Sequence, residues 1–471
     1  MKYSLCYALV LLALISCQKE EKPQFDLAIK NVNVIDLQTG AVSEQSIIIH
    51  ENRINTLIPK RPEGTFIDND YEAAQTIDGE GLYVLPGYWD NHVHFRGGDS
   101  LAMANKALLP LFLANGVTTV RDAGGDLTGE VMNWKAAMNQ GTLNGPSIFT
   151  SGPKLDGPQA TWAGSLVVEN KAQVEYALDS LQKLQVDFVK LYDSTISRDN
   201  YLHILREAKK RGMITSGHMP FTVTLEEAIE AGIGSIEHLY YIMKGCSAKE
   251  EAITERIRKG ELSFWESMDE LRATYSEEKA QQTFAMLKAN EVYVTPTLHI
   301  GETLSYLDED DHSDDVYAAY VAPGLQKTYA GRIERALNAS EEAKTSRKEL
   351  QEFFNTLAFK LNEAGVSLLA GSDCGAYNSY VYPGISLHEE LKALVDAGLT
   401  ELDALNTSAP HGAAFLGKEH YGSLQVGNYA DLVILAGNPL EDIKLSRKLT
   451  HLIQQGKVFT LEELEEKLPR Y

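Results

Sequence analysis

Between Leu82 and Gly375 short apolar runs alternate with longer amphipathic segments. The apolar runs are "LYVLPGYWDNHVHF", "GVTTVRDAGG", "SIFTSGPKLDG", "DFVKLYD", "MITSGHM", "SIEHLYY", "VYVTPTLHI" and "SLLAGSDCG". Most of them end in glycine or polar residues. The segments between, such as "RDNYLHILREAKKRG" and "TLEEAIEAG", carry apolar residues at helical spacing with a glycine at the stop. Eight rounds of strand and helix predict a parallel (β/α)8 TIM-like barrel over residues 86–420. Both chain ends have a different texture. "DLAIKNVNVIDLQTG" and "SIIIHENRINTLI" near the start, and "GSLQVGNYADLVILAG" and "HLIQQGKVF" near the end, read as short strands punctuated by glycine and asparagine. They predict one small β-sandwich built from residues 25–85 plus 421–471. Two charge-rich helical stretches, 244–290 and 302–363, interrupt the rhythm and are read as insertions after the sixth and seventh strands, over the barrel mouth.

The length of 471 residues calls for a large domain plus a smaller one, in keeping with that division. A net charge of -23 repels nucleic-acid phosphates and excludes that class of partner. It also disfavours anionic substrates at long range, unless a metal reverses the local potential. Residues 1–16 have a basic start and an apolar stretch too short to span a bilayer, which predicts an exported protein with a cleaved signal peptide. "LISC" (Leu14–Cys17) resembles a bacterial lipobox, and the resemblance implies lipidation of Cys17 as the new N-terminus. Residues 17–24 then form a charged tether, and the membrane is a partner through the lipid anchor only. Only Cys246 and Cys374 remain in the folded body, too few for a disulfide framework, although one bridge between them is conceivable.

Active sites of such barrels lie at the C-terminal ends of the strands. The first run ends with His92 and His94, which share a face on a strand and make half of a metal site. The fourth supplies Lys190, the fifth His218, the sixth His238 and the eighth Asp373. Each alone has a packing explanation, as a hydrogen-bonded core histidine, a helix cap or a snorkelling lysine. Six of them at strand ends, in strand order, point to metal ligation. Asp187 and Asp193 are each an odd number of residues from Lys190, so neither shares its face of the strand.

"GLYVLPGYWDNHVH", "GVTTVRDAGG", "SIEH" and "LLAGSD", in this order, resemble the amidohydrolase superfamily, nearest its imidazolonepropionase-like and prolidase-like branch. The resemblance implies two divalent metal ions, with zinc expected. It places His92, His94 and Asp373 on one metal and His218 and His238 on the other, bridged by a carbamate formed from CO2 on Lys190. A bridging hydroxide would attack the substrate, with Asp373 as general acid and base, cleaving a C–N bond of a linear or cyclic amide. A lactone or phosphotriester hydrolase could use the same site, and a non-catalytic ligand-binding lipoprotein is the reading from another class. The chain departs from dipeptidase-like relatives at Pro220, where they carry tyrosine or histidine, and at "SGPKLDGP", where they carry a histidine. Tyr240 is the candidate catalytic stand-in, and Tyr241 and His299 are candidate contacts to a small-molecule substrate. His411 reads as structural, and a homo-oligomer is left open.

Overall fold

The computed structural model describes residues 22–60 and 71–471; the signal segment, Cys17 and the tether up to residue 21 lie outside the described residues. Strands are numbered in chain order as β1 (Gln24–Ile35), β2 (Val42–His50), β3 (Arg53–Pro59), β4 (Glu72–Asp78) and β5 (Tyr83–Pro86), then β6 (Tyr88–Val93), β7 (Val117–Asp122), β8 (Ser147–Thr150), β9 (Leu155–Asp156) and β10 (Leu166–Val167). They continue as β11 (Val189–Leu191), β12 (Thr215–Gly217), β13 (Ser235–Glu237), β14 (Tyr293–Thr295), β15 (Leu432–Leu435), β16 (Leu449–Gln454) and β17 (Lys457–Thr460).

The two chain ends meet in one eight-stranded sheet of order β17-β16-β15-β5-β1-β2-β3, with β4 also on β1. The strands of the expected sandwich are thus hydrogen-bonded to one another in one continuous sheet. β1 has β4 beside it through Lys30 and β5 beside it at Asn33 and Val34. The change of partner falls at Asn31, whose φ of 58° sits beside an irregularity in the β1–β2 register between Ile29 and Val32. Such a bulge bends and twists the strand. The sheet can then enclose its own apolar face, where Leu27, Ile29, Ile47, Ile49, Leu432 and Ile434 pack together.

The middle of the chain is mixed α/β with parallel strands. β6-β7-β8 form one sheet, and β10-β9-β11-β12-β13-β14 another. The Asp187 N–H donates to the Thr150 carbonyl at 2.9 Å, linking the end of β8 to the start of the β11 segment. The eighth apolar run is not a regular strand, yet it is hydrogen-bonded on both sides. Leu369 N donates to Val294 O (2.8 Å), while Asn91 N donates to Ala370 O (2.9 Å) and His94 N to Cys374 O (2.9 Å). Its pairing is interrupted because Asp373 and Gly375 have φ of 56° and 142°. Gly371 lets it approach β6: a Cβ there would meet the His92 Cβ at 2.6 Å.

The intervening helices follow their sequence signals. Arg198–Lys210 is capped by Ser197 and buries Tyr201, Leu202, Ile204 and Leu205. Leu225–Ala231 opens with a capping box from Thr224 and Glu227 and stops at left-handed Gly232. The stretch 244–290 holds the helices Glu250–Arg258, Phe264–Ala273 and Glu277–Ala289, and 302–363 includes Ala330–Leu337 and Glu341–Glu363. Cys246 and Cys374 are both buried and free, so the conceivable bridge is not formed. Among the described residues no helix is long and apolar enough to cross a membrane.

Candidate metal centre

Four imidazoles sit in a row, ring beside ring. Centroids are 5.0 Å apart for His94 and His92, 5.3 Å for His92 and His238, and 5.0 Å for His238 and His218. Each ring is held through Nδ1. His92 pairs with the Glu237 carboxylate, His94 bonds the Gly124 carbonyl at 2.8 Å, His218 bonds Asp193 at 3.0 Å, and His238 bonds the Thr297 hydroxyl at 2.7 Å. An imidazole anchored at Nδ1 offers the Nε2 lone pair, the usual arrangement around a ligating histidine. The Nε2 atoms of His92 and His94 lie 3.2 Å apart, and 3.6 and 3.2 Å from Asp373 Oδ1. Burial pushes His92, His94 and His238 below the ordinary imidazole range, which favours the neutral, ligating form.

Asp373 is in the opposite state. Burial alone would raise its pKa, but His92 and His94 beside it hold the carboxyl well below its usual range. Asn378 steadies it, its Nδ2 donating to Asp373 Oδ1 at 2.9 Å. His238, Thr297 and Asp373 all have left-handed backbones, with φ of 65°, 52° and 56°. Three non-glycine residues in that sparsely populated region, at one site, mark a place where chain geometry yields to side-chain placement.

Beneath the row lies a buried polar layer that strand-end reasoning misses. Glu237 bonds His92, the Ser216 hydroxyl and Arg121, whose Nη2 is 3.0 Å from the carboxylate. Burial works against its ionisation, but Arg121, Lys190 and His92 together keep it well below the usual carboxylate range. Lys190 is fully buried, its Nζ has no hydrogen-bond partner, and Glu237 Oε1 is 3.7 Å away. Desolvation lowers this amine to about 8, with Glu237 opposing. The only signal of Glu237 in the sequence is its place in "SIEH", next to a candidate ligand.

These residues fit a divalent cation. Ligand atoms of His92, His238 and Asp373 all lie within 4.8 Å of one another, and the Lys190 amine is an orphaned polar atom aimed at the same layer. A free ammonium cannot ligate a metal; a carbamate could, through two oxygens.

The other candidates fall differently. Tyr241 spends its hydroxyl on Asp193 at 2.8 Å, the same carboxylate that holds His218, so it positions that histidine. His299 is likewise engaged within the fold. Its amide bonds Glu390, its Nε2 is 3.2 Å from Ser386 Oγ, and burial lowers it to about 4; it ties the helix Leu298–Ser305 to the helix Ile385–Asp396. Tyr240 packs against Phe264, Trp265 and Phe354, with Arg332 among the charges acting on its hydroxyl. His411 bonds the Leu368 carbonyl at 2.8 Å, a structural role.

The Amidohydrolase family model matches residues 83–459, from β5 through β17. The chain belongs to the amidohydrolase family. Amidohydrolases are hydrolases of amide-type bonds that in general use divalent metal ions. Among curated proteins, this amidohydrolase is 24% identical over 436 residues to ochratoxinase of Aspergillus niger, covering 80% of this chain and 75% of that one. Among solved structures it is similar to a bottromycin amidohydrolase, with a TM-score of 0.73, 21% identity and 93% and 88% of the two chains covered. It is also similar to a Xaa-Pro dipeptidase with methionine bound in its active site, at a TM-score of 0.67, 21% identity, and 92% and 99% coverage. At such identities the solved structures establish a shared fold.

Proposed function

We propose that this amidohydrolase cleaves a C–N bond of a small amide, cyclic amide or peptide-like substrate, using two divalent cations, with zinc expected. His92, His94 and Asp373 would hold one cation, His218 and His238 the other, and a carboxylated Lys190 would lie between them. When bound, the cations would acidify a water and polarise the scissile carbonyl. The observation that carries this reading is the row of four imidazoles, each fixed through Nδ1, around one ionised carboxylate.

The chain's own residues supply the rest. Asp373 is the acid and base: an ionised carboxylate held by Asn378 can accept a proton from water and deliver it to the leaving nitrogen. Glu237, Asp193, Thr297 and the Gly124 carbonyl orient the imidazoles, so none need reorganise during turnover. The parallel pairings around β6, β7, β8, β11, β12, β13, β14 and 367–374 support closure as a (β/α)8 barrel, with the terminal sheet as the second unit. We place the mature protein outside the cytoplasm, anchored through Cys17.

The test is a hydrolysis screen over dipeptides, N-acyl amino acids, hydantoins and lactones, repeated after chelation and again after zinc is restored. Amide turnover that disappears with chelation and returns with zinc supports the reading. Turnover restricted to lactones or phosphotriesters favours the alternative hydrolase, and binding without turnover favours the ligand-binding lipoprotein.

A further inference from the structure

We propose that Lys154, Arg96 and Arg332 form an anion-binding subsite beside the metal centre, which takes a carboxylate of the substrate. The proposal rests on the hydrolase reading and narrows its substrate class.

Lys154 lies in "SGPKLDG", after β8, where it is 2% exposed and its Nζ has no hydrogen-bond partner. Its stem packs against Gly124, whose carbonyl holds His94: a Cβ on that glycine would stand 3.0 Å from the Lys154 Cγ. Arg96 is 4% exposed; its Nε donates to the Ala376 carbonyl at 2.9 Å, and it forms no salt bridge with a described residue. Both cations flank one indole. The Arg96 Cζ is 4.0 Å and the Lys154 Nζ 4.9 Å from the Trp162 ring centroid. The Trp162 Nε1 is a further buried donor without a partner. Arg332 arrives from the second insertion and likewise has no salt bridge among the described residues, although Asp373 and Arg96 are within its electrostatic reach. Of the carboxylates near Lys154, Asp122 is engaged by the Thr150 hydroxyl at 2.7 Å, and Asp373 faces His92 and His94.

The free polar atoms of Lys154, Arg96 and Trp162 are all donors, and burial beside Arg96 and Lys190 lowers the Lys154 amine well below its usual range, a cost that a bound anion would relieve. Buried cationic side chains without a counter-ion are costly, and the complement of a cluster of donors is an acceptor-only anion. A carboxylate is such a group, and guanidinium can bind it through two parallel hydrogen bonds. The chain's net charge of -23 does not oppose this, since the potential at the cluster is set by its immediate neighbours. The substrates selected are amides with a free carboxylate near the scissile bond, such as N-acyl amino acids and short peptides, over neutral hydantoins, lactones and triesters.

The test uses the metal-loaded full chain and two probes of one shape, 3-phenylpropionate and its neutral amide 3-phenylpropanamide, by calorimetry. The wild type should bind the carboxylate at least about tenfold more tightly than the amide. Lys154→Met, and independently Arg332→Gln, should each reduce that preference by roughly 10- to 100-fold while metal content stays at the wild-type value. Arg332 is only partly buried, so its variant decides the matter if Lys154→Met does not fold. An unchanged preference in a folded, metal-loaded variant would show that the cations in the metal centre hold the carboxylate alone, and would overturn the proposal. Binding needs no turnover, so a failure of the hydrolase reading appears separately, as absence of amide cleavage in the substrate screen.

Discussion

Lys190 Nζ stands 3.7 Å from Glu237 Oε1 and makes no hydrogen bond there, because the carboxylate is already committed to Arg121, Ser216 and His92. Glu237 thus moderates the buried lysine's charge without capturing the amine. An amine lowered to about 8 has a neutral fraction near neutral pH, and the neutral form is the one that reacts with CO2. Lys190→Ala is expected to leave at most about one metal per chain and little activity. Acetate or propionate at high concentration should restore part of both by filling the vacated space. Metal analysis and turnover check this; two metals with wild-type turnover would make Lys190 an ordinary side chain.

Glu237→Gln leaves Arg121 buried without its counter-ion. Arg121 is fully buried and also donates to the Asn91 carbonyl, so it cannot turn to solvent. The expected loss of stability is about 3–5 kcal/mol, the range for breaking one side of a buried pair. Denaturant unfolding monitors it, and a Glu237→Gln midpoint equal to wild type would show that the pair is dispensable.

Asp193 accepts from Tyr241 and pairs with His218, so it orients one imidazole of the proposed metal centre. Asp193→Asn should weaken metal binding at His218 by roughly 10- to 100-fold. Tyr241→Phe, which spares the carboxylate, should have a smaller effect. Competitive titration with a chelator separates the two, and equal losses would refute the assigned order.

His388 gives stability a pH dependence of its own. It bonds Ser446 Oγ and the Asn115 carbonyl, both at 2.9 Å, and burial lowers its pKa from 6.5 to about 4. Between those values the unfolded chain binds more protons than the folded one, so stability rises with pH. The contribution is complete above about pH 6.5 and is lost as pH falls through the window towards 4, up to roughly 3 kcal/mol. His388→Asn should flatten the slope in this interval in denaturant midpoints measured against pH. An unchanged slope would assign the dependence to other groups.

Cys17→Ser is expected to abolish incorporation of labelled fatty acid and to release the protein from membranes, given "LIS" immediately before it. Membrane fractionation of wild type without any lipid label would remove the anchor from this account.

The sequence by itself determined which polar residues close the apolar runs. His92, His94, Lys190, His218, His238 and Asp373 were legible because parallel α/β architecture puts strand ends on one rim, and the period of two fixes which residues share a face. The same rule hid Glu237. Alternation puts it on the opposite face from His238, and both reach the site only because His238 adopts a left-handed backbone with φ of 65° just after β13. The partners of His299 and Tyr241 were hidden for a related reason: position after a strand end says where a residue sits, not which neighbour claims its polar atom. Ser386 and Asp193 make those claims from segments distant in sequence. Arg96, Lys154 and Arg332 come from three separate stretches with no shared motif, and only tertiary packing brings the first two against Trp162. Local periodicity carries information about elements and faces; which charges remain unpaired is decided by long-range contacts, and those belong to the folded chain alone.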